Sequence, residues 1–192
     1  ATLLHDDVID EAVDRHSLPT AHKLYGNKAS ILVGDFLFSQ TFIWIASLED
    51  PMIIKTLAKA TQIIVSGEIE QHQVHEKLDL DEKTYFKIIS SKTAELFKQA
   101  CSLSAIAAKA DANIIQACTQ FGYHLGLAFQ LQDDLLDYTS QTSGKNIGQD
   151  WAERKVTYPL LVTYQQPSFR APLIRAFKNR VALKEIIMLL EK

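Results

Sequence analysis

Glycine and proline are scarce, with 7 and 5 among 192 residues. Apolar residues recur at helical rather than strand spacing almost throughout, so a turn-rich β architecture is excluded. Cysteine is scarcer still. Cys101 and Cys118 both fall in apolar helical sequence, where free buried thiols are expected, and a reducing cytoplasm suits them. Excess positive charge is also lacking: the formal net charge is −3, and no global basic field draws in nucleic acid or an anionic membrane. No unbroken apolar run approaches ~18 residues, so no membrane span is expected. No signal peptide is expected either. The chain opens on Ala1-Thr2-Leu3-Leu4-His5 without an initiator Met or a capping sequence. That start reads as the middle of a helix, and Lys184 to Lys192 stop within another. The expectation is one domain over 1–192 that lacks N-terminal helices and a C-terminal end. With 47% hydrophobic and 22% charged residues, the composition is that of an ordinary globular protein with a sizeable core.

What is present is one acidic pattern used twice. Asp6-Asp7-Val8-Ile9-Asp10 and Asp133-Asp134-Leu135-Leu136-Asp137 both read Asp-Asp-x-x-Asp in helical, apolar-rich sequence. Aspartate is a poor helix former and costly to bury alone. The first and third carboxylates of each copy lie four residues apart, on one helix face, where like charges repel. One copy is readily a solvated surface. Two copies with equal spacing and apolar flanks point to two facing acidic helices with hard divalent cations between them. Oxygen-only donors favour Mg²⁺ or Mn²⁺ over zinc, and Mg²⁺ in turn favours substrate phosphates. Arg15, Lys145 and Lys155 follow the motifs closely and are candidates for neutralising such a ligand. The acidic and histidine-bearing stretch Glu68 to Glu76 has no Glu three residues before a His, so the di-iron signature fails there.

The periodicity predicts an all-α bundle. A first helix is expected from Ala1 to about Asp14, broken by Ser17-Leu18-Pro19-Thr20. Asn27 is the expected cap of a second helix, through Leu48. Asp50-Pro51 opens a third, to about Glu76. Asp81 caps a helix running toward Ala110, and Asp111 caps the helix that ends in the second acidic motif. Thr139 to Gln149 reads as a loop. Trp151 to Tyr164 resumes helix, with Pro159 bending or restarting it. A helix pair follows from Arg170.

In order, spacing and flanks, residues from Ala1 to Val162 resemble the trans-prenyltransferases, and most closely the bacterial long-chain polyprenyl diphosphate synthases. The resemblance is carried by Leu4-His5-Asp6-Asp7-Val8-Ile9-Asp10-Glu11, Tyr25 to Ser30, Leu32 to Phe36, Gly67-Glu68 with Gln71, and Ser91-Lys92-Thr93-Ala94. It continues through Phe129 to Tyr138, Gly144 to Gly148, and Lys155 to Leu160. It implies the isoprenoid synthase fold and a Mg²⁺-dependent, head-to-tail (1'-4) condensation. Isopentenyl diphosphate would add to an allylic diphosphate, giving a long all-trans chain for a quinone side chain. Alternatives are a short-chain (farnesyl or geranylgeranyl) synthase, or a noncatalytic subunit of a heteromeric enzyme. The resemblance further implies a cytoplasmic homodimer with peripheral membrane contact for its apolar product.

By the same resemblance, Asp6 and Asp10 bind metal with Asp7 in support. Asp133 binds metal, with Asp134 and Asp137 as direct or indirect partners. Arg15, Lys92, Lys145 and, more weakly, Lys155 hold the allylic diphosphate. Thr93 and Gln130 lie beside the reacting carbon. His16 stands where relatives carry a second Arg for isopentenyl diphosphate, and is assigned that contact. Gln149-Asp150 replaces two aspartates, and the upstream Gly-Lys-x-x-Arg element is absent. Thr2 lies one turn before Asp6 on its face. With Ala1 it marks the implied floor of a product tunnel, and both side chains are small.

Overall fold

The computed structural model describes residues 1–15, 18–139, 148–181 and 186–187. Among these, two compact units are present, one comprising Ala1–Lys55 and the other the residues from Thr56 onward.

In the first unit, α1 (Thr2–Ile9) carries the first acidic motif. It ends well before the expected Asp14. Asp10 closes it, Glu11 takes a left-handed φ of 52°, and the Ala12 and Glu11 N–H groups turn back to the Asp7 and Val8 carbonyls. This is a Schellman ending with a non-glycine residue at the left-handed position. The chain reverses into a two-residue hairpin, β1 (Asp14–Arg15) against β2 (Leu18–Pro19), with Arg15 opposite Leu18. Buried Thr20 locks the reversal, donating to the Ala12 carbonyl at 2.7 Å. Next come α2 (Ala21–Tyr25) and α3 (Asn27–Ala46). Gly26, rather than Asn27, occupies the cap, with a φ of 83° that favours glycine.

Helix α3 packs on α1 through small residues. Ser30 donates to the Leu4 carbonyl at 3.0 Å, and a Cβ on Gly34 would run into the His5 ring. The rest of α3 is largely exposed, including Phe36 and Trp44 at 64% each. Polar residues interrupt its apolar sequence, yet its mean hydropathy reaches 1.5 over an 18-residue window. By length and composition alone, α3 therefore meets the requirement for crossing a membrane, contrary to the sequence expectation.

The chain enters the second unit along α4 (Pro51–Gln73), which opens as predicted, with Asp50 accepting from the Met52 N–H at 2.9 Å. Asp81 caps α5 (Glu82–Ile89) through the Thr84 N–H. The helix then widens into one π-helical turn, Ser90–Ala94, before continuing as α6 (Glu95–Ala107). Asp111 accepts from the Ile114 N–H at 3.0 Å and starts α7 (Ala112–Thr139), whose last turns carry the second acidic motif. Three shorter helices follow: α8 (Gln149–Ala152), α9 (Tyr158–Gln165) and α10 (Pro167–Lys178). Pro159 falls in the first turn of α9, so it restarts the helix and bends nothing.

The hydrophobic core belongs to this unit. Tyr138 and Trp151 pack with Leu160, Leu173, Phe177 and Ile186, and a second cluster joins Tyr85, Ile89 and Leu161. Both clusters reach the C-terminal half of α7, so the second motif is held against the core.

Candidate active site

The π-turn is the best-supported part of the site. Two helices press on it through glycines. A Cβ on Gly67 of α4 would lie 2.7 Å from the Ser91 Cβ, and one on Gly126 of α7 would lie 2.5 Å from the Ala94 Cα. Only hydrogen fits at both contacts. A π-turn inserts one extra residue per turn and re-aims side chains, a device frequent at functional sites. Here it carries Lys92 and Thr93. The Lys92 ammonium donates to Glu68 at 2.8 Å and to Gln71 at 2.9 Å. Those α4 residues, with Gly67, are the ones read as a signature in the sequence. Their shared task is to seat the π-turn and hold its lysine.

Thr93 donates its hydroxyl proton to Gln130 Oε1 at 2.6 Å. Gln130 Nε2 donates to Asp134 Oδ1 at 2.8 Å. Tyr85 Oη donates to Asp134 Oδ2 at 2.5 Å, and the Tyr158 N–H approaches the same oxygen at 3.4 Å. Asp134 is 3% exposed. Burial pushes its carboxyl above the usual range, while the Tyr85, Gln130 and Tyr158 bonds oppose that rise. Burial, reinforced by the Asp134 charge, likewise pushes the Tyr85 phenol far up, so it remains a donor.

Asp137 has a different task. Its two oxygens accept the Gln149 and Asp150 N–H groups, at 3.1 and 3.0 Å, at the start of α8. Burial raises its pKa and those backbone bonds oppose the rise. Half-buried Asp150 is pushed well up, by desolvation first and then by Asp137 and Asp134. Half-buried Asp133 adds its charge to both Asp134 and Asp137. The described carboxylates at this end of α7 are all-oxygen donors, the type that a hard divalent cation takes. Lys155 lies close by, pairs with Glu153 at 2.7 Å, and partly offsets the Asp150 charge.

In the first unit, the Arg15 guanidinium reaches back across the reversal to Asp7 Oδ1, at 2.9 Å from Nε and 2.8 Å from a terminal nitrogen. Asp7 is 4% exposed, whereas Asp6 and Asp10 are half-buried on one side of α1. His5 approaches the Ile31 carbonyl and Asp35, each at 3.2 Å. His16 and Lys145 lie outside the described residues. Among the described residues, no three His, Cys, Asp or Glu side chains close around a common point.

Sequence reasoning missed Tyr85. Its spacing with Ile88 and Ile89 marks a buried face, but no signal in the sequence names a partner 49 residues away.

An all-α framework with an acidic motif on each of two helices and a π-turn lysine is that of the isoprenoid synthases. The chain belongs to the polyprenyl synthetase family, whose model matches residues 1–190. It is 39% identical to the octaprenyl diphosphate synthase of Haemophilus influenzae over 99% of this chain and 60% of that protein. Against the Escherichia coli octaprenyl diphosphate synthase it is 42% identical, over 84% of this chain and 50% of that one. A decaprenyl diphosphate synthase structure from Rhodobacter capsulatus superposes with a TM-score of 0.90 at 37% identity, over 98% of this chain and 61% of the other. A polyprenyl synthase from Caulobacter crescentus, complexed with calcium and isoprenyl diphosphate, also gives 0.90 at 38% identity, over 98% and 60%. The chain thus spans about half to three-fifths of the length of these relatives.

Proposed function

We propose that the protein is a Mg²⁺-dependent trans-polyprenyl diphosphate synthase making long chains from an allylic diphosphate and isopentenyl diphosphate. The observation that carries this reading is the Thr93–Gln130–Asp134 line of hydrogen bonds. It ties the π-turn to the second acidic motif. A lysine for phosphate, oxygens for a developing cation and carboxylates for metal thereby occupy one continuous piece of structure.

The residues divide the work as follows. Asp6, Asp10 and Asp133 would hold the cations, which supply Lewis-acid neutralisation of the diphosphate leaving group when bound. Lys92 binds diphosphate oxygens in exchange for its bonds to Glu68 and Gln71. Thr93, its proton committed to Gln130, presents only lone pairs to the allylic carbon as positive charge grows there. The allylic C–O bond breaks and diphosphate departs, the isopentenyl double bond attacks the freed carbon, and the adduct loses a proton to the departed diphosphate.

The exposed apolar face of α3 supports a homodimer. Half-buried free thiols at Cys101 and Cys118 support a cytoplasmic setting, and the apolar product supports transient membrane contact. Long products are favoured by the small side chains at Ala1 and Thr2.

Incubation with Mg²⁺, farnesyl diphosphate and radiolabelled isopentenyl diphosphate tests the reading. Products of about eight isoprene units are expected. Absence of elongation would defeat it, and arrest at geranylgeranyl length would make it a short-chain enzyme.

A further inference from the structure

We propose that Tyr85 is a positioning residue for prenyl transfer, acting on Thr93 through Asp134 and Gln130. The inference rests on the functional reading above and adds a role for a side chain that touches neither substrate nor metal.

The argument is one of hydrogen-bond polarity. A carboxylate only accepts, so the oxygen of Asp134 that meets Gln130 must face the amide nitrogen. The Gln130 carbonyl then points the other way, toward Thr93. Because that carbonyl only accepts, the Thr93 proton is drawn to it. Each bond in the line therefore runs in one direction, and the line ends with bare lone pairs on Thr93. The polarity is set by the acceptor-only carboxylate of Asp134, and the line holds only while Asp134 faces Gln130.

That orientation depends on Tyr85. Its hydroxyl binds Asp134 Oδ2 at 2.5 Å from within the α5 core cluster, on a ring that meets Phe86 edge-on and Tyr158 at a tilt. The only other partner of that oxygen among the described bonds is the long contact from the Tyr158 N–H, at 3.4 Å. Without the phenol, the carboxylate is released to turn about its own axis. The Gln130 amide turns with it, and Thr93 loses its fixed acceptor. Asp134 is thus committed to aligning the cation-facing oxygen, leaving Asp133 as the motif's cation ligand on α7.

A double-mutant cycle tests this. Tyr85→Phe should lower kcat about 10- to 100-fold, the scale of a misplaced reacting group. KM for the allylic diphosphate and the Mg²⁺ half-saturation point should stay within about two-fold, since neither ligand is touched. In a Thr93→Val background the same change should cost less than about two-fold, because the oxygen it positions is gone. Losses that simply multiply would overturn the proposal. So would a raised Mg²⁺ requirement in Asp134→Asn matching that of Asp133→Asn. Replacing Tyr85 by 3-fluorotyrosine, which keeps ring and hydroxyl, should restore most of the kcat lost in Tyr85→Phe; failure to restore it would also overturn the proposal. If the wild type does not elongate, the functional reading fails, and the cycle is read in the thermal unfolding midpoint. Non-additive shifts for positions 85 and 93 are then expected, and additive shifts refute the hydrogen-bonded line itself.

Discussion

Each acidic motif buries its middle residue and gives it an internal partner. Asp7 takes Arg15 and Asp134 takes Tyr85 with Gln130. The sequence showed which carboxylates share a helix face, because that follows from spacing alone. It did not show which would turn inward, because that depends on partners brought by a chain reversal and by a distant helix. Arg15 illustrates the difference. Read from sequence as a phosphate ligand, it is first the counter-ion of a buried carboxylate. Arg15→Met keeps the aliphatic stem and removes the charge. It should lower stability by about 1–3 kcal/mol, at the low end because Arg15 is partly exposed. Chemical denaturation checks this. A cost that persists unchanged in an Asp7→Asn background would show that the pair is not its source.

Elements were legible where their signals are local. Asp50-Pro51, Asp81 and Asp111 all start helices through the bonds that their side chains predict. Asp81 also makes a pH prediction. Its pKa is lowered, chiefly by the Thr84 N–H and then by the Thr84 hydroxyl. The ionised cap therefore stabilises α5 above the unfolded carboxylate pKa, and that contribution is lost as pH falls through the lower folded value. Asp81→Asn should flatten this part of the acid-side stability profile, as read by melting midpoints between about pH 2 and pH 6. The end of α1 and the π-turn were not legible. The first depends on Glu11 adopting a left-handed backbone. The second depends on Gly67 and Gly126, which lie on either side of it in sequence and are informative only once packed. Gly126→Ala would press a methyl group into the Ala94 backbone. A loss of about 1–3 kcal/mol is expected, together with a fall in kcat, because the contact lies on the π-turn that carries Lys92 and Thr93. An unchanged kcat would mean that the π-turn tolerates displacement.

For the whole molecule, helix content and family were legible throughout, whereas the membrane-length hydropathy of α3 was not. Its polar residues interrupt every apolar run, while its mean hydropathy stays high. If the exposed apolar face of α3 joins two copies, Phe36→Glu together with Trp44→Glu should convert a dimer into a monomer in sedimentation equilibrium. A dimer of unchanged mass would place the interface elsewhere.

The inward turn of Asp7 and Asp134 bears on how an inactive control should be made. Replacing a whole motif with alanines removes the outer carboxylates and the internal anchor together. The product is then a misfolded protein as much as a ligand-blind one. Changing Asp6, Asp10 or Asp133 singly leaves both anchors in place. Only such a control can separate a lost reaction from a lost structure.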